Sequence, residues 1–207
     1  MAGDSYNDDS RDSKRFLHRL RACRVKVHKL DNKIFRPPSA RRTSGRKTFS
    51  QLRREDKMRM QALLSRPEDE RLEVFKVPEI GRGVKARVNF EVGDYIIEYC
   101  GEFCSGDTGR YMEREHERDQ SGSYQFYFWY KSDEYCIDAT SESAKMGRLI
   151  NHSKRKANAL AKVLEVKPGE PRLILEASRK IKAGEEIRYD YGENRRQVLE
   201  ELEWLKK

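Results

Sequence analysis

Three short stretches hold residue types that could bind and bound a reactive small molecule. Gly147–Ser153 reads GRLINHS and sets Asn151 and His152 directly after an apolar pair. Tyr189–Gly192 reads YDYG, with two tyrosines one residue apart. Gly81–Val84 reads GRGV and opens a β-rich stretch. On a strand, alternate residues face the same side, so Tyr189 and Tyr191 would point together. Two phenols side by side make a stiff apolar wall with polar tips. Other chemistries fit less well. Cys100 and Cys104 with His116 or His152 match no structural zinc spacing, so no metal site is expected. Nothing marks Cys136 as the exposed, electropositive thiol that a nucleophile paired with His152 would need. GRGV is too short for a dinucleotide fingerprint and no helix follows it. The acids lie mostly in charged runs, and no carboxylate pair stands out for hydrolysis.

The elements that must carry these residues are mainly strands. From Leu72 onward the chain runs through LEVFKV, VKARV, DYIIEY, YQFYFWY, EYCID, AKVLEV and RLILEA. These are short, rich in Val, Ile, Tyr and Phe, and separated by Gly, Asp or Pro turns. Residues 108–119 are polar and read as a surface helix or loop, and 142–149 as one helical turn. A local echo links two segments, FEVGDYIIEYCG (90–101) and IKAGEEIRYDYG (181–192). Each has a Gly, an acid, a short apolar strand, then Tyr and Gly. Gly93 and Gly184 suit turns that need positive φ. The two segments deliver Tyr99 on one side and Tyr189 and Tyr191 on the other. The tyrosines of YQFYFWY, Tyr127 and Tyr130, read instead as strand packing. Leu52, Met60, Leu63 and Leu64 suggest a helix over 49–66, ended by Pro67. Val198, Leu199, Leu202 and Leu205 form a stripe on a C-terminal helix, with Trp204 off the stripe.

The 207 residues suffice for one domain of roughly 130–150 residues with flanks. Four segments are expected: a basic arm over 1–48, disordered in its own right; a helical flank over 49–71; the β-rich domain over 72–193; and a helical segment over 194–207. Charge divides the same way. Residues 1–71 hold 20 Lys and Arg against 10 Asp and Glu, and the remainder 24 against 25. The basicity therefore belongs to the arm, which suits a polyanionic neighbour such as DNA phosphates as well as a solubilising tail. No apolar stretch approaches the roughly 20 residues of a membrane span, and MAGDSYNDDS has no apolar core of a secretory signal. Four cysteines without paired CxxC spacing read as reduced thiols in an intracellular protein.

Taken in order, GRGV, EYCGE, YCIDAT, GRLINHS and AGEEIRYDYG resemble the SET-domain protein lysine methyltransferases. The resemblance covers about residues 72–207. It is tightest to the PR-SET-type branch that monomethylates the histone H4 tail and ends in a segment such as Trp204-Leu205-Lys206. It implies a mainly β (α+β) SET-domain fold, with small sheets around a threaded pseudo-knot and short flanking helices. It implies S-adenosyl-L-methionine as methyl donor, leaving as S-adenosyl-L-homocysteine. Carried onto this chain, Ile80, Gly81, Arg82, Tyr124, Asn151 and His152 would hold the donor, with Trp204 over the adenine. Tyr99, Tyr189 and Tyr191 would line the lysine channel and carry the chemistry. A histone tail or nucleosome is the implied partner, in the nucleus on the chromosome. A monomer is expected, without membrane attachment. The chain departs from the branch at Ile80, where Lys is common, in RKANALAKV after the NHS block, and at Leu202, where His is common. No Cys cluster follows YDYG, so no zinc-bearing module is expected there. Three competing readings are a methyltransferase for non-histone lysines, a non-catalytic chromatin module and a plain nucleic-acid binder, the last disfavoured by the near-neutral body.

Overall fold

The computed structural model describes residues 23–24, 51, 54–55, 58, 62–64, 70–77, 81–119 and 122–192. Among them are eleven strands, the α-helix Gly106–Arg118 and a 3-10 turn, and residues 51, 54–55, 58 and 62–64 are helical as well. The strands fall into three small sheets. Strands β2 (Leu72–Val77) and β3 (Gly81–Ala86) form an antiparallel pair with Val74 opposite Val84. A second sheet has the order β4-β10-β9-β11-β8, from β4 (Tyr95–Glu98), β8 (Asn151–His152), β9 (Ala159–Lys167), β10 (Glu170–Ala177) and β11 (Arg188–Tyr189). The third has the order β1-β6-β7-β5, from β1 (Cys23–Arg24), β5 (Glu102–Ser105), β6 (Gln125–Tyr130) and β7 (Asp133–Asp138).

Apolar strand faces turn inward. Leu72, Val84, Ile96, Phe126, Leu173 and Ile187 are all fully buried in one cluster that joins the three sheets. Burying such a side chain stabilises by about 1.5–3 kcal/mol, so this shared core holds the sheets to one another. Helix α1 (Gly106–Arg118) covers the outer face of the third sheet. Ser105 caps it, its hydroxyl accepting from the Thr108 amide at 3.2 Å. Polar all round in sequence, α1 is held by polar contacts as well: Tyr127 donates to Glu113 at 3.1 Å, and His116 meets Asp138 at 2.8 Å.

The echoed segments behave as their sequences predict. Gly93 and Gly184 have φ of 88° and 86°, and isolated bridges pair Phe90 with Ile181 and Lys85 with Glu186. The second segment is threaded: β11 lies parallel between β9 and β8, with Tyr189 opposite Ala159 on one side and His152 on the other. This insertion brings YDYG beside NHS.

Some boundaries differ from expectation. The VKARV strand begins three residues early, at Gly81, because it zips against β2 down to Val77. The polar region resolves into α1, and the 142–149 turn shrinks to a 3-10 turn, Gly147–Leu149. Strand β5, Glu-Phe-Cys-Ser, is too short to declare itself in sequence and is fixed by its pairing with β7. Within the basic arm, Cys23–Arg24 pair in parallel with Phe126–Tyr127 of β6. The C-terminal segment 194–207 lies outside the described residues.

Candidate active site

The three predicted channel tyrosines join through ring contacts, Tyr99 and Tyr189 on Phe126 and Tyr191 on Tyr189. Tyr99 follows β4, its amide donating to the Leu173 carbonyl at 2.9 Å. Its ring meets Phe126 edge-on with centroids 5.3 Å apart. Tyr189, on β11, stacks on the other side of Phe126 at 5.9 Å and 16°. Tyr191 lies 4.8 Å from Tyr189. All three are buried. Two of them are oriented by main-chain acceptors: the Tyr99 phenol donates to the Tyr124 carbonyl, and the Tyr191 phenol to the Ile150 carbonyl, each at 2.8 Å. The result is a buried aromatic wall in which these two phenols are fixed in direction. Such a wall selects a slender side chain and removes water from its polar end.

The NHS block supports that wall. His152 Nδ1 accepts the Tyr191 amide at 3.0 Å, and the imidazole packs edge-on to the Tyr191 ring at 5.0 Å. A nitrogen that accepts carries no proton, so this tautomer holds its hydrogen on Nε2. The side chain of His152 thus orients Tyr191. Asn151 donates from Nδ2 to Glu186 at 2.9 Å. Gly147 begins the turn before this block, and a Cβ there would sit 2.6 Å from the Glu98 carbonyl oxygen. Only glycine lets the turn pass this close to the end of β4, and hence to Tyr99.

Arg82 and Tyr124 belong to an adjoining charged cluster. Arg82 grips Glu142 through two hydrogen bonds, 2.7 and 3.1 Å. Arg148 donates to the same carboxylate at 2.7 Å and to the Thr140 carbonyl at 3.1 Å. Its guanidinium lies 4.0 Å over the Tyr124 ring, and its buried Nε has no partner. The hydrogen bonds from Arg82, then Arg148, hold the Glu142 carboxyl down at about 2. Burial pushes the Tyr124 phenol up, opposed by the charges of Arg148 and Arg82. The Glu142 bond raises Arg82 in turn. Gly81, next to Arg82, has φ of 108°, a backbone state that L side chains avoid.

A cavity of about 300 Å³ opens beside Glu142 and toward α1, bounded by Cys100, Gly101, Met112, His116, Asp138 and Ala139 among others, and none of the three tyrosines lines it. Burial pushes the Asp138 carboxyl up, but hydrogen bonds from Thr140, His116 and Gln125 outweigh it and keep it below its ordinary value. Cys104 and Cys136 stand opposite each other on β5 and β7, and burial pushes both thiols up. They are poor nucleophiles at neutral pH. Among the described residues no group of three His, Cys, Asp or Glu side chains could hold a metal.

Of the residues predicted from sequence, Tyr99, Tyr189, Tyr191 and His152 share one cluster. Arg82 and Tyr124 share the next, and Asn151 and Gly81 lie on their borders. Ile80 and Trp204 lie outside the described residues. Sequence reasoning missed Phe126, Glu142 and Arg148. Phe126 was hidden in an apolar run, although its alternation with Tyr127 separates the inner face from the face under α1. Arg148 stood inside GRLINHS as a charged residue between apolar ones, the pattern of a buried, paired guanidinium.

Comparisons with known proteins agree on one family. Residues 81–192 match the SET domain. The histone-lysine N-methyltransferase set-1 of Caenorhabditis elegans is 40% identical over 166 residues, covering 79% of this chain and 68% of that protein. The N-lysine methyltransferase KMT5A-A of Danio rerio is 42% identical over 166 residues, covering 80% of this chain and 48% of that protein. The chain thus spans about half the length of its zebrafish relative. A crystal structure of CpSET8 from Cryptosporidium superposes with a TM-score of 0.56 at 35% identity, covering 59% of this chain and 58% of that one. The threaded β11, the tyrosines it delivers and the match over 81–192 lead to the same conclusion: this chain belongs to the SET-domain family.

Proposed function

We propose that this protein transfers a methyl group from S-adenosylmethionine to a lysine of a histone tail, that of histone H4, and stops after one methyl. The reading is carried by Tyr99, Tyr189 and Tyr191 sharing one buried wall with Phe126. The names of the relatives, histone-lysine and N-lysine methyltransferases, support it. The residues present fit the donor. Arg82 and Arg148, the latter with a buried unpaired Nε, suit its carboxylate, and the Tyr124 face and the Asn151–His152 segment suit its remaining polar and flat parts.

When bound, the donor supplies a methyl on a positively charged sulfur. The chain must present a neutral amine. A free lysine has a pKa near ~10.4, so neutrality at pH 7 costs ~4–5 kcal/mol. The buried aromatic wall lowers that cost by desolvating the ammonium. Tyr99, Tyr189 and Tyr191 then hold the amine in line, and such positioning is worth ~7–11 kcal/mol. No general base is needed, since the proton can leave along water. The basic balance of residues 1–71 supports a contact with DNA phosphates on the nucleosome, and the histone-methyltransferase names of the relatives support a nuclear role. A second reading, lysines of non-histone proteins, is favoured by the broader name of the zebrafish relative.

Labelled-donor transfer to recombinant nucleosomes and to each histone, followed by mapping, tests the proposal. One methyl on one H4 lysine is expected. Label confined to other proteins rejects the histone assignment, and no transfer to any lysine rejects the activity.

A further inference from the structure

The open edge of β6 is taken by the chain itself. In the third sheet β6 has β7 on one side and, among the described residues, the two residues of β1 on the other, parallel, with Cys23 opposite Phe126 and Arg24 opposite Tyr127. That edge runs beside the tyrosine wall. Phe126 is the ring that Tyr99 and Tyr189 both pack against, and Tyr124, one residue before β6, accepts the Tyr99 phenol. A strand added here lies ~4.8 Å from β6, the ordinary spacing in a sheet. Sheet edges bind extended peptides through main-chain hydrogen bonds, with little demand on sequence. The segment around β1, RLRACRVKVHK (19–29), is basic, as a histone tail is, yet neither paired residue is a lysine.

We infer that the segment through Cys23–Arg24 is an intramolecular competitor, a built-in pseudosubstrate that holds the β6 edge until an extended basic tail displaces it. This rests on the proposed function, since it takes the tail to lie along the same edge. Its tether to the domain, from Arg24 to Leu72, keeps it at high local concentration, so a short strand suffices. An edge closed part of the time weakens the tail's apparent affinity by the fraction open. A tail presented by a nucleosome, with DNA to draw off the basic arm, escapes that penalty.

The test uses the full chain and two variants. Arg24→Pro removes an amide and cannot sit in a paired ladder, whereas Arg24→Ala removes the charge and keeps the backbone. Binding of a fluorescent H4-tail peptide and of a fluorescent 19–29 peptide is measured by anisotropy, with hydrogen exchange at the β6 amides. For Arg24→Pro, the tail is expected to bind roughly threefold tighter or more. The 19–29 peptide should bind in trans and compete with the tail, and β6 amides should exchange faster. Arg24→Ala should resemble the parent. Unchanged β6 exchange and unchanged affinity for both peptides in Arg24→Pro overturn the inference, as does weaker tail binding, which would make the arm a helper. If the 19–29 peptide binds Arg24→Pro but the H4 tail binds no form, the edge is self-occupied and the histone assignment fails instead.

Discussion

Tyr191 and Tyr189 differ in what their phenols do, and their substitutions should differ accordingly. The Tyr191 hydroxyl donates to the Ile150 carbonyl, so Tyr191→Phe leaves a buried acceptor unpaired and frees the ring to shift. Turnover should fall roughly tenfold or more, equivalent to about 1.4 kcal/mol in the barrier, while donor affinity measured by calorimetry stays nearly constant. Tyr189 stacks on Phe126 without needing its hydroxyl for that contact. Tyr189→Phe should therefore keep the fold and open room at the polar end of the channel, so that dimethyl-lysine accumulates in mass spectra of a peptide substrate. Dimethyl product already present with the unchanged enzyme would contradict this. Both tyrosines were legible from their spacing in YDYG, and their rings do meet, although β11 ends at Tyr189. Tyr127 and Tyr130 were legible as packing, and their hydroxyls engage Glu113 and Glu165. Phe126 was not, because an apolar run does not say which of its rings meets a second sheet.

The segment from Thr140 to Ile150 ties the charged cluster to the tyrosine wall. Glu142 is its hinge point, shared by Arg82 and Arg148. Its carboxyl is depressed from an ordinary 4.5 to about 2. A depressed carboxyl stabilises the fold fully above pH 4.5, and that contribution is lost as pH falls through about 2. The group is largely exposed, so screening keeps the effect small. Glu142→Gln should flatten the acid side of the melting-temperature profile between these limits and leave Arg148 with a poorer partner. Scanning calorimetry of both proteins from pH 2 to 5 checks it, and parallel profiles would remove Glu142 from this role. The paired glycine turns at Gly93 and Gly184 could be foreseen, since positive φ and the Gly-acid order go together. The close pass at Gly147 could not, because it depends on where β4 ends.

The chain is electrically divided, a basic arm before a near-neutral body, and each part makes its own prediction. For the body, S-adenosylmethionine at 100 times its dissociation constant should stabilise by ~2.7 kcal/mol, raising the melting temperature by roughly 5–10 °C. No shift would favour a non-catalytic module. For the arm, replacing Arg41, Arg42 and Arg46 with Gln should lower the salt slope of nucleosome binding by roughly 2–3. An unchanged slope would take DNA out of the arm's role.

Periodicity, turn residues and ordered motifs were enough to read a mainly β body, its Gly turns, the tyrosines and the NHS block, because each follows from neighbours along the chain. Where β11 threads between β8 and β9, how Phe126 joins Tyr99 to Tyr189, and which arginines share Glu142 were decided by contacts between segments far apart in sequence. Local patterns carry no record of such contacts, since they arise only when separate apolar faces close on one core.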